Sequence, residues 1–175
     1  MKKIFLLTAL AVFLISSSAL HAQDEDKSKR PSPPAKVKQT INGGTVIIID
    51  YSQPSLKGRT MGKDVEPMKG QVWRAGANEA TVFEANKSIK VEGKNLPAGK
   101  YALFAIANDE EWTIIFNKIF DQWGAEGYKE SEDALRVKVK AGKSTNFNER
   151  LFYTIESNGK VSIQWGNLSV AIHVQ

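Results

Sequence analysis

The residues with the greatest chemical potential lie in one short stretch, residues 69–83, which reads KGQVWRAGANEATVF. Trp73, Arg74, Asn78 and Glu79 place an aromatic ring, a fixed positive charge, an amide and a carboxylate around one predicted bend. Such side chains can line a pocket in which the tryptophan stacks on a ligand while arginine and asparagine bind its polar groups. They can also form a buried structural lock, and the residue types favour this second reading.

The lock reading makes specific predictions for the bend. Trp73 plugs one end of the fold, and Arg74 pairs with the carboxylate of Asp50 or Glu79. Gly76 takes a backbone conformation that other residues would resist. Asn78 is expected to hydrogen-bond the backbone of the bend itself.

Other residues extend the candidate ligand-binding set beyond the bend. Lys57 and Arg59 lie in the loop after Asp50, where they could pair with that carboxylate, bind an anionic ligand or remain solvated. Trp123 and Tyr128 flank a glycine-containing segment that is predicted to cover one opening of the fold. The complete predicted set is Asp50, Lys57, Arg59, Trp73, Arg74, Asn78, Glu79, Trp123 and Tyr128.

Catalytic motifs are sparse in this sequence. His173 is the only histidine after residue 22, and the chain has no cysteine, so a multi-histidine zinc site is not expected. No nucleophile elbow, phosphate-binding glycine loop or calcium loop is present, and the sequence predicts neither a metal nor a cofactor. A carboxylate pair for glycoside hydrolysis stays open, with Asp50 and Glu79 as the candidates, and the distance between them would decide.

The first 22 residues have the pattern of an export signal. Lys2 and Lys3 precede an apolar run over residues 4–15 that is too short to span a bilayer as a helix, and small residues lead to Ala22. No cysteine follows that could carry a lipid anchor. The sequence therefore predicts a periplasmic or secreted protein with no transmembrane span once the signal is removed.

The charge balance argues against a nucleic-acid partner. Loss of Lys2 and Lys3 with the signal reduces the formal net charge from +5 by two, to +3. The remaining lysines are spread along the chain and are not clustered with aromatic residues. A surface that follows a phosphate backbone is therefore not supported.

The rest of the chain divides into a leader and one domain. Residues 23–34 are charged and then proline-rich, which predicts a disordered leader with a stiff spacer. Residues 35–175 are predicted to form a single β-sandwich domain, which is long enough to bury a core without disulfides.

Hydrophobic alternation with a period of two predicts an all-β fold. Strands are predicted at residues 36–41, 45–51, 80–85, 88–92, 100–107, 112–117, 134–140, 151–156, 160–165 and 168–174. Both faces of residues 100–107 are apolar, which indicates a central strand covered on both sides. The pattern favours an antiparallel β-sandwich or a jelly-roll-like barrel with at most one or two short helices, one of them within residues 121–133.

Several segments carry a resemblance to a known family. They are YSQPSLKGRTMG (51–62), VWRAGANEAT (72–81), LPAGKYALFAI (96–106), EWTIIFN (111–117), QWGAEGY (122–128) and DALRVKV (133–139). Together they resemble the secreted bacterial domain-of-unknown-function family 2911, over about residues 30–139 and onward into the last strands. The resemblance implies an exported β-rich domain and brings no assigned activity, cofactor or catalytic residue.

Three functions follow as hypotheses. The favoured one is an exported, non-enzymatic protein that binds a small-molecule or saccharide ligand, or an envelope protein partner, through residues 73–79. The alternatives are a hydrolase that acts on envelope glycans through paired carboxylates and a purely structural envelope component. A polar pocket containing Arg74 and Asn78 would favour binding, whereas convergent acids with perturbed pKa values would favour the hydrolase.

Overall fold

The computed structural model describes residues 26–175, so the predicted signal peptide and the first three residues of the leader lie outside the described residues. Within this range the chain forms ten strands: β1 (Pro34–Ile41), β2 (Thr45–Ser52), β3 (Val72–Trp73), β4 (Thr81–Ala85), β5 (Ile89–Val91), β6 (Lys94–Leu96), β7 (Gly99–Ile106), β8 (Glu111–Asn117), β9 (Asp133–Ile155) and β10 (Lys160–His173). Its only helical segments there are two 3-10 turns, Lys27–Lys29 and Glu130–Glu132. The all-β prediction is confirmed, and neither helical turn is long or apolar enough to cross a bilayer.

Local sequence explains the first hairpin. Asn42 and two glycines at positive φ, Gly43 and Gly44, turn the chain between β1 and β2. On β2 the side chains of Ile47 and Ile49 are fully buried, while Val46, Ile48 and Asp50 on the other face are only half-buried. The period-two pattern therefore sets the register and the inward face of the hairpin.

The main sheet has the strand order β1-β2-β4-β7-β8-β9-β10, and every pairing is antiparallel. It curls on itself until the chain after β2 meets the second half of β9. Leu56 N donates to Glu149 O at 3.0 Å, and Leu151 N donates to Pro54 O at 2.9 Å. The result is a half-barrel with its core inside the curl. β5 and β6 form a separate two-stranded sheet.

The long strands β9 and β10 differ from the sequence prediction. Each predicted segment overlaps a strand, but 134–140 and 151–156 belong to one strand, as do 160–165 and 168–174. Residues 141–150 form the polar stretch between the two predicted segments of β9. The backbone of this stretch pairs with β10 around a bulge at Gly166. A search for apolar alternation misses a strand of this kind, because the polar stretch buries no hydrophobic face.

Two apolar clusters lie on opposite faces of the sheet. The larger one fills the inside of the curl and includes three tryptophans: the ring centroid of Trp73 lies 6.1 Å from that of Trp165 and 6.4 Å from that of Trp112. The smaller one lies on the outer face and includes Phe104 of β7 and Ile115 of β8. The prediction that residues 100–107 form a strand covered on both sides is thus confirmed.

Candidate functional site

The predicted bend is an excursion within one edge of β7. β3 and β4 both pair with this strand, through Trp73↔Ala105 and Thr81↔Leu103. Residues 74–80 therefore leave the sheet and return to it opposite a single residue, Phe104. The bend lies along the side of the half-barrel. Trp73 therefore fills the interior of the half-barrel and does not plug one end of the fold, as the sequence predicted.

The strained backbone conformations of the bend are at Ala75 and Asn78, on either side of Gly76. Ala75 and Asn78 have φ values of 51° and 57°, in the left-handed region that most residues avoid, whereas Gly76 does not. A Cβ atom on Gly76 would lie 2.7 Å from Thr81 Oγ1 and 3.2 Å from Ser52 O. The prediction that Gly76 is needed for its backbone conformation is therefore wrong. Glycine is required at this position because there is no space for a side chain.

Trp73 is part of the lock and is closed to a ligand. Its side chain is 1% exposed between the rings of Trp165 and Trp112. The indole Nε1–H donates to Gly76 O at 3.0 Å, which ties the tryptophan to the bend that follows it. No face of this ring is accessible to a ligand, so the predicted stacking of a ligand on Trp73 finds no support in the structure.

Two buried hydroxyls fix the strained part of the bend. Tyr153 Oη donates to Ala75 O at 2.6 Å, and Thr81 Oγ1 donates to the same carbonyl at 3.1 Å. Burial raises the pKa of Tyr153, so its hydroxyl keeps its proton and remains a donor. These bonds offset the strain of the left-handed residue.

The predicted ion pair of Arg74 is wrong. Asp50 lies on the outer face of β2 and pairs with Lys36 across the hairpin at 3.1 Å. Arg74 makes no ion pair within residues 26–175, and its buried Nε has no hydrogen-bond partner there. Its guanidinium lies under Gly124, where an added Cβ would meet Nη1 at 3.3 Å.

Glu79 and Asn78 hold the leader against the bend. Glu79 Oε1 accepts from Lys27 Nζ and from Arg30 Nη1, each at 3.0 Å. Asn78 Nδ2 donates to Ser32 O at 2.9 Å, so this amide braces the leader and not the bend's own backbone. Residues 26–33, which the composition predicts to be disordered, lie here on the protein surface.

These contacts also set the charge of Glu79. Burial alone would raise the pKa of this carboxyl, but hydrogen bonds from its own backbone N–H, from Lys27 and from Arg30 outweigh burial and lower the pKa to about 2. A general acid for glycoside hydrolysis needs a raised pKa. Glu79 therefore lacks the environment of a general acid, and Asp50 is held by Lys36 in a separate ion pair.

We expect the carboxyl carbon of Glu79 to titrate with a midpoint near pH 2 in the folded chain. Because the folded pKa lies below the ordinary value of 4.5, the leader contact is fully present above about pH 4.5 and is lost as pH falls toward 2. Carbon-detected NMR measures the midpoint directly. Arg30→Ala should raise it toward 4.5, whereas Lys38→Ala, at an exposed position on β1, should not. A parent midpoint near 4.5 would show that the leader does not bind Glu79.

The bend supports a second segment, the overlying loop, which we define as residues 118–132 between β8 and β9. Ala80 N donates to Gln122 O at 3.0 Å, and Gly124 N donates to Asn78 O at 3.1 Å. At the other end of the loop, Asn117 Nδ2 donates to Lys129 O at 2.9 Å. The overlying loop is therefore fastened to the bend in its first half and to β8 near its end.

Tyr128 covers the outer face of the sheet and not an opening of the fold as predicted. Its ring meets that of Phe104 edge-on at 5.1 Å, and its hydroxyl donates to Asp133 Oδ2 at 2.7 Å. Burial, with the neighbouring Asp133 carboxylate, raises the pKa of Tyr128 to about 12. This tyrosine acts as a structural donor at physiological pH.

Three apolar side chains of the overlying loop are exposed, and we call them the loop patch: Ile119 (48%), Phe120 (40%) and Trp123 (58%). Trp123 lies next to the bend, because its backbone forms a β-bridge with Glu79. Sequence reasoning found Trp123 but missed Ile119 and Phe120. The available signal was the run KIFDQW, which places apolar residues in a turn segment between two strands.

Lys57 and Arg59 do not join this site. Arg59 donates to Leu56 O at 2.9 Å and to Ser55 O at 2.7 Å, while Lys57 N donates to Glu149 Oε1 at 2.5 Å. Within residues 26–175, no hydrogen bond or ion pair connects either residue to the bend. Both residues order the loop after β2.

One family model matches most of the chain. The model described as "Protein of unknown function (DUF2911)" matches residues 32–174. The chain belongs to this family. The DUF2911 match begins at Ser32, the residue that Asn78 binds, and includes all ten strands and the bend. No curated protein and no solved structure matches the chain significantly.

Proposed function

We propose that this DUF2911 chain is an exported, non-enzymatic binding protein whose loop patch docks against a partner protein of the cell envelope. The observation that carries the proposal is the exposure of Ile119, Phe120 and Trp123 on one fastened loop. Large apolar side chains that are exposed together within one short loop are typical of interaction surfaces. Tryptophan in particular is enriched among the residues that contribute most to binding energy.

The support beneath the loop patch favours binding. The overlying loop is held by backbone bonds to Asn78 and Ala80 and by the side chain of Asn117. Tyr128 packs it onto the outer face of the sheet. A surface that is already ordered loses less conformational entropy when a partner binds, so more of the contact energy appears as affinity.

The chemistry of the loop patch favours a protein over a saccharide. Saccharide and small-molecule sites are concave and place several polar groups around the ligand. Three well-formed clefts in the described part of the chain are lined by other residues, and Ile119, Phe120 and Trp123 belong to none of these three. An exposed group of aromatic and aliphatic side chains matches the core of a protein interface instead.

The envelope location rests on the sequence of residues 1–22. Two lysines, an apolar run and a small-residue segment support export, and the absence of cysteine suits an oxidising compartment without requiring it. A purely structural role would leave the exposed loop patch without a purpose. The hydrolase alternative lacks support because the two candidate carboxylates are held in separate ion pairs, Glu79 with Lys27 and Arg30 and Asp50 with Lys36.

Photo-crosslinking in the cells that naturally produce the chain tests this proposal. Phe120 is replaced with p-benzoylphenylalanine, and the matched control carries the same residue at Phe147, an exposed phenylalanine of β9. We expect a discrete adduct, heavier than the chain, with the probe at position 120 and no such adduct at 147. Mass spectrometry of the adduct identifies the partner.

Three results would contradict the proposal. Equal adducts at both positions would mean that the probe reports exposure alone, and no adduct at position 120 would remove the evidence for a docking surface. Recovery of the chain with residues 1–22 intact from the cytoplasm would contradict the export half of the proposal.

A further inference from the structure

A second site lies at the opposite end of β8 from the overlying loop. There a cleft of about 420 Å³, which we call the mouth cleft, opens between the β7–β8 turn, the loop before β3 and the middle of β9 and β10. Clefts of about 300–1,000 Å³ are the usual size of small-molecule sites. The seven residues of β8 separate the mouth cleft from the loop patch by about 20 Å, at about 3.4 Å per residue.

The lining of the mouth cleft is rich in hydrogen-bond donors. Lys69 and Lys143 carry positive charge, and Asn108 and Asn167 offer amides. The side chain of Trp112 also lines the cleft and is 4% exposed. These side chains supply the donors that a ligand with several oxygen atoms needs.

The charges of the mouth cleft do not balance. Its one acidic side chain, Asp109, is already bound by Lys69, with Nζ to Oδ2 at 2.7 Å. Lys143 has no acidic partner in the described part of the chain. One positive charge is therefore left for a ligand, which favours a carboxylate over a neutral or cationic group.

A bulge shapes the side of the mouth cleft that carries Lys143. In the β9–β10 ladder Gly166 pairs with Asn148 while Leu168 pairs with Lys143, so residues 144–147 oppose Asn167 alone. Asn148 Nδ2 orders this bulge through Ser144 Oγ at 3.0 Å and Asn146 O at 3.1 Å. Bulges at barrel rims commonly redirect side chains towards binding sites.

From this geometry we propose that the mouth cleft binds a small hydroxylated carboxylate of monosaccharide size, a uronic acid. The free ammonium of Lys143 binds the carboxylate, and the amides of Asn108 and Asn167 bind hydroxyl groups. Apolar atoms of Ala107 and Leu168 pack against the ring. This site does not depend on the partner surface proposed for the overlying loop.

Isothermal titration calorimetry of the purified chain tests this inference with two uronic acids, glucuronate and galacturonate, and their neutral parents, glucose and galactose. We expect at least one uronic acid to bind with a Kd at least about tenfold below that of its neutral parent. Lys143→Glu should weaken that binding at least about tenfold. Lys38→Glu makes the same charge change at an exposed position on β1 and should leave the Kd within about twofold.

Circular dichroism and melting confirm that the variants are folded, and Asn108→Asp serves as a second variant that places negative charge in the mouth cleft without touching Lys143. Saturable uronate binding that both cleft variants weaken supports the site. Equal binding of acid and neutral sugars, no saturable heat with either acid, or folded cleft variants that bind like the parent would overturn it.

Discussion

Replacing Trp73 with alanine is expected to lower the free energy of unfolding by about 3–5 kcal/mol. The side chain is 1% exposed, packs against Trp165 and Trp112, and donates its indole N–H to Gly76 O. Alanine removes the ring contacts, leaves a cavity in the half-barrel and frees the carbonyl that anchors the bend. Urea unfolding followed by circular dichroism measures the change.

Trp123→Ala is the matched control, because it removes the same side chain from a position that is 58% exposed. We expect its free energy of unfolding to lie within about 0.5 kcal/mol of the parent. Trp73→Phe keeps an aromatic ring and should retain enough stability for measurement if the alanine variant does not fold. Similar losses for Trp73→Ala and Trp123→Ala would contradict the assignment of one tryptophan to the core and the other to the surface.

Gly76→Ala is expected to destabilise the chain by about 1–3 kcal/mol, through overpacking in the bend. The new Cβ would lie 2.7 Å from Thr81 Oγ1, which itself donates to Ala75 O. The threonine must move and lose this bond, or the backbone of the bend must shift. Thermal and urea unfolding of the single variant measure the effect.

A double-mutant cycle with Thr81→Ala shows whether the clash is the cause. Removing the hydroxyl opens space beside the new methyl group, so Gly76→Ala should cost less in the Thr81→Ala background than in the parent. Additive losses would show that the two positions do not interact. In that case the reason assigned here to the glycine would be wrong.

Most of the fold can be predicted from two features of the sequence, the regular alternation of apolar residues and the hairpin turns. The buried Ile47 and Ile49 of β2, and Val170 and Ile172 of β10, follow a period of two that needs no tertiary information. The pairing of Asp50 with Lys36 also follows from the sequence, because a turn at residues 42–44 places these residues opposite each other. Asp50 was one of two carboxylates predicted for Arg74, with Glu79 as the other, and the strand register assigns it to Lys36.

The remaining features of the site depend on long-range contacts. The leader reaches Glu79 through Lys27 and Arg30, about 50 positions away in the chain, and no periodic pattern connects such segments. The exposure of Ile119 and Phe120 is equally hidden, since an apolar residue in a sequence is ordinarily read as buried. Only the packing of the overlying loop on the outer face of the sheet shows which of its apolar side chains face solvent.

The central claim is that the bend is a structural lock and that the loop patch above it is the binding surface. The most direct test repeats the photo-crosslinking with the probe at position 120 in a chain that also carries Trp123→Ala. We expect the melting temperature to match that of the probe-bearing parent while the yield of the partner adduct falls about tenfold, since exposed tryptophans contribute most at an interface centre. An unchanged adduct yield at an unchanged melting temperature would contradict the claim.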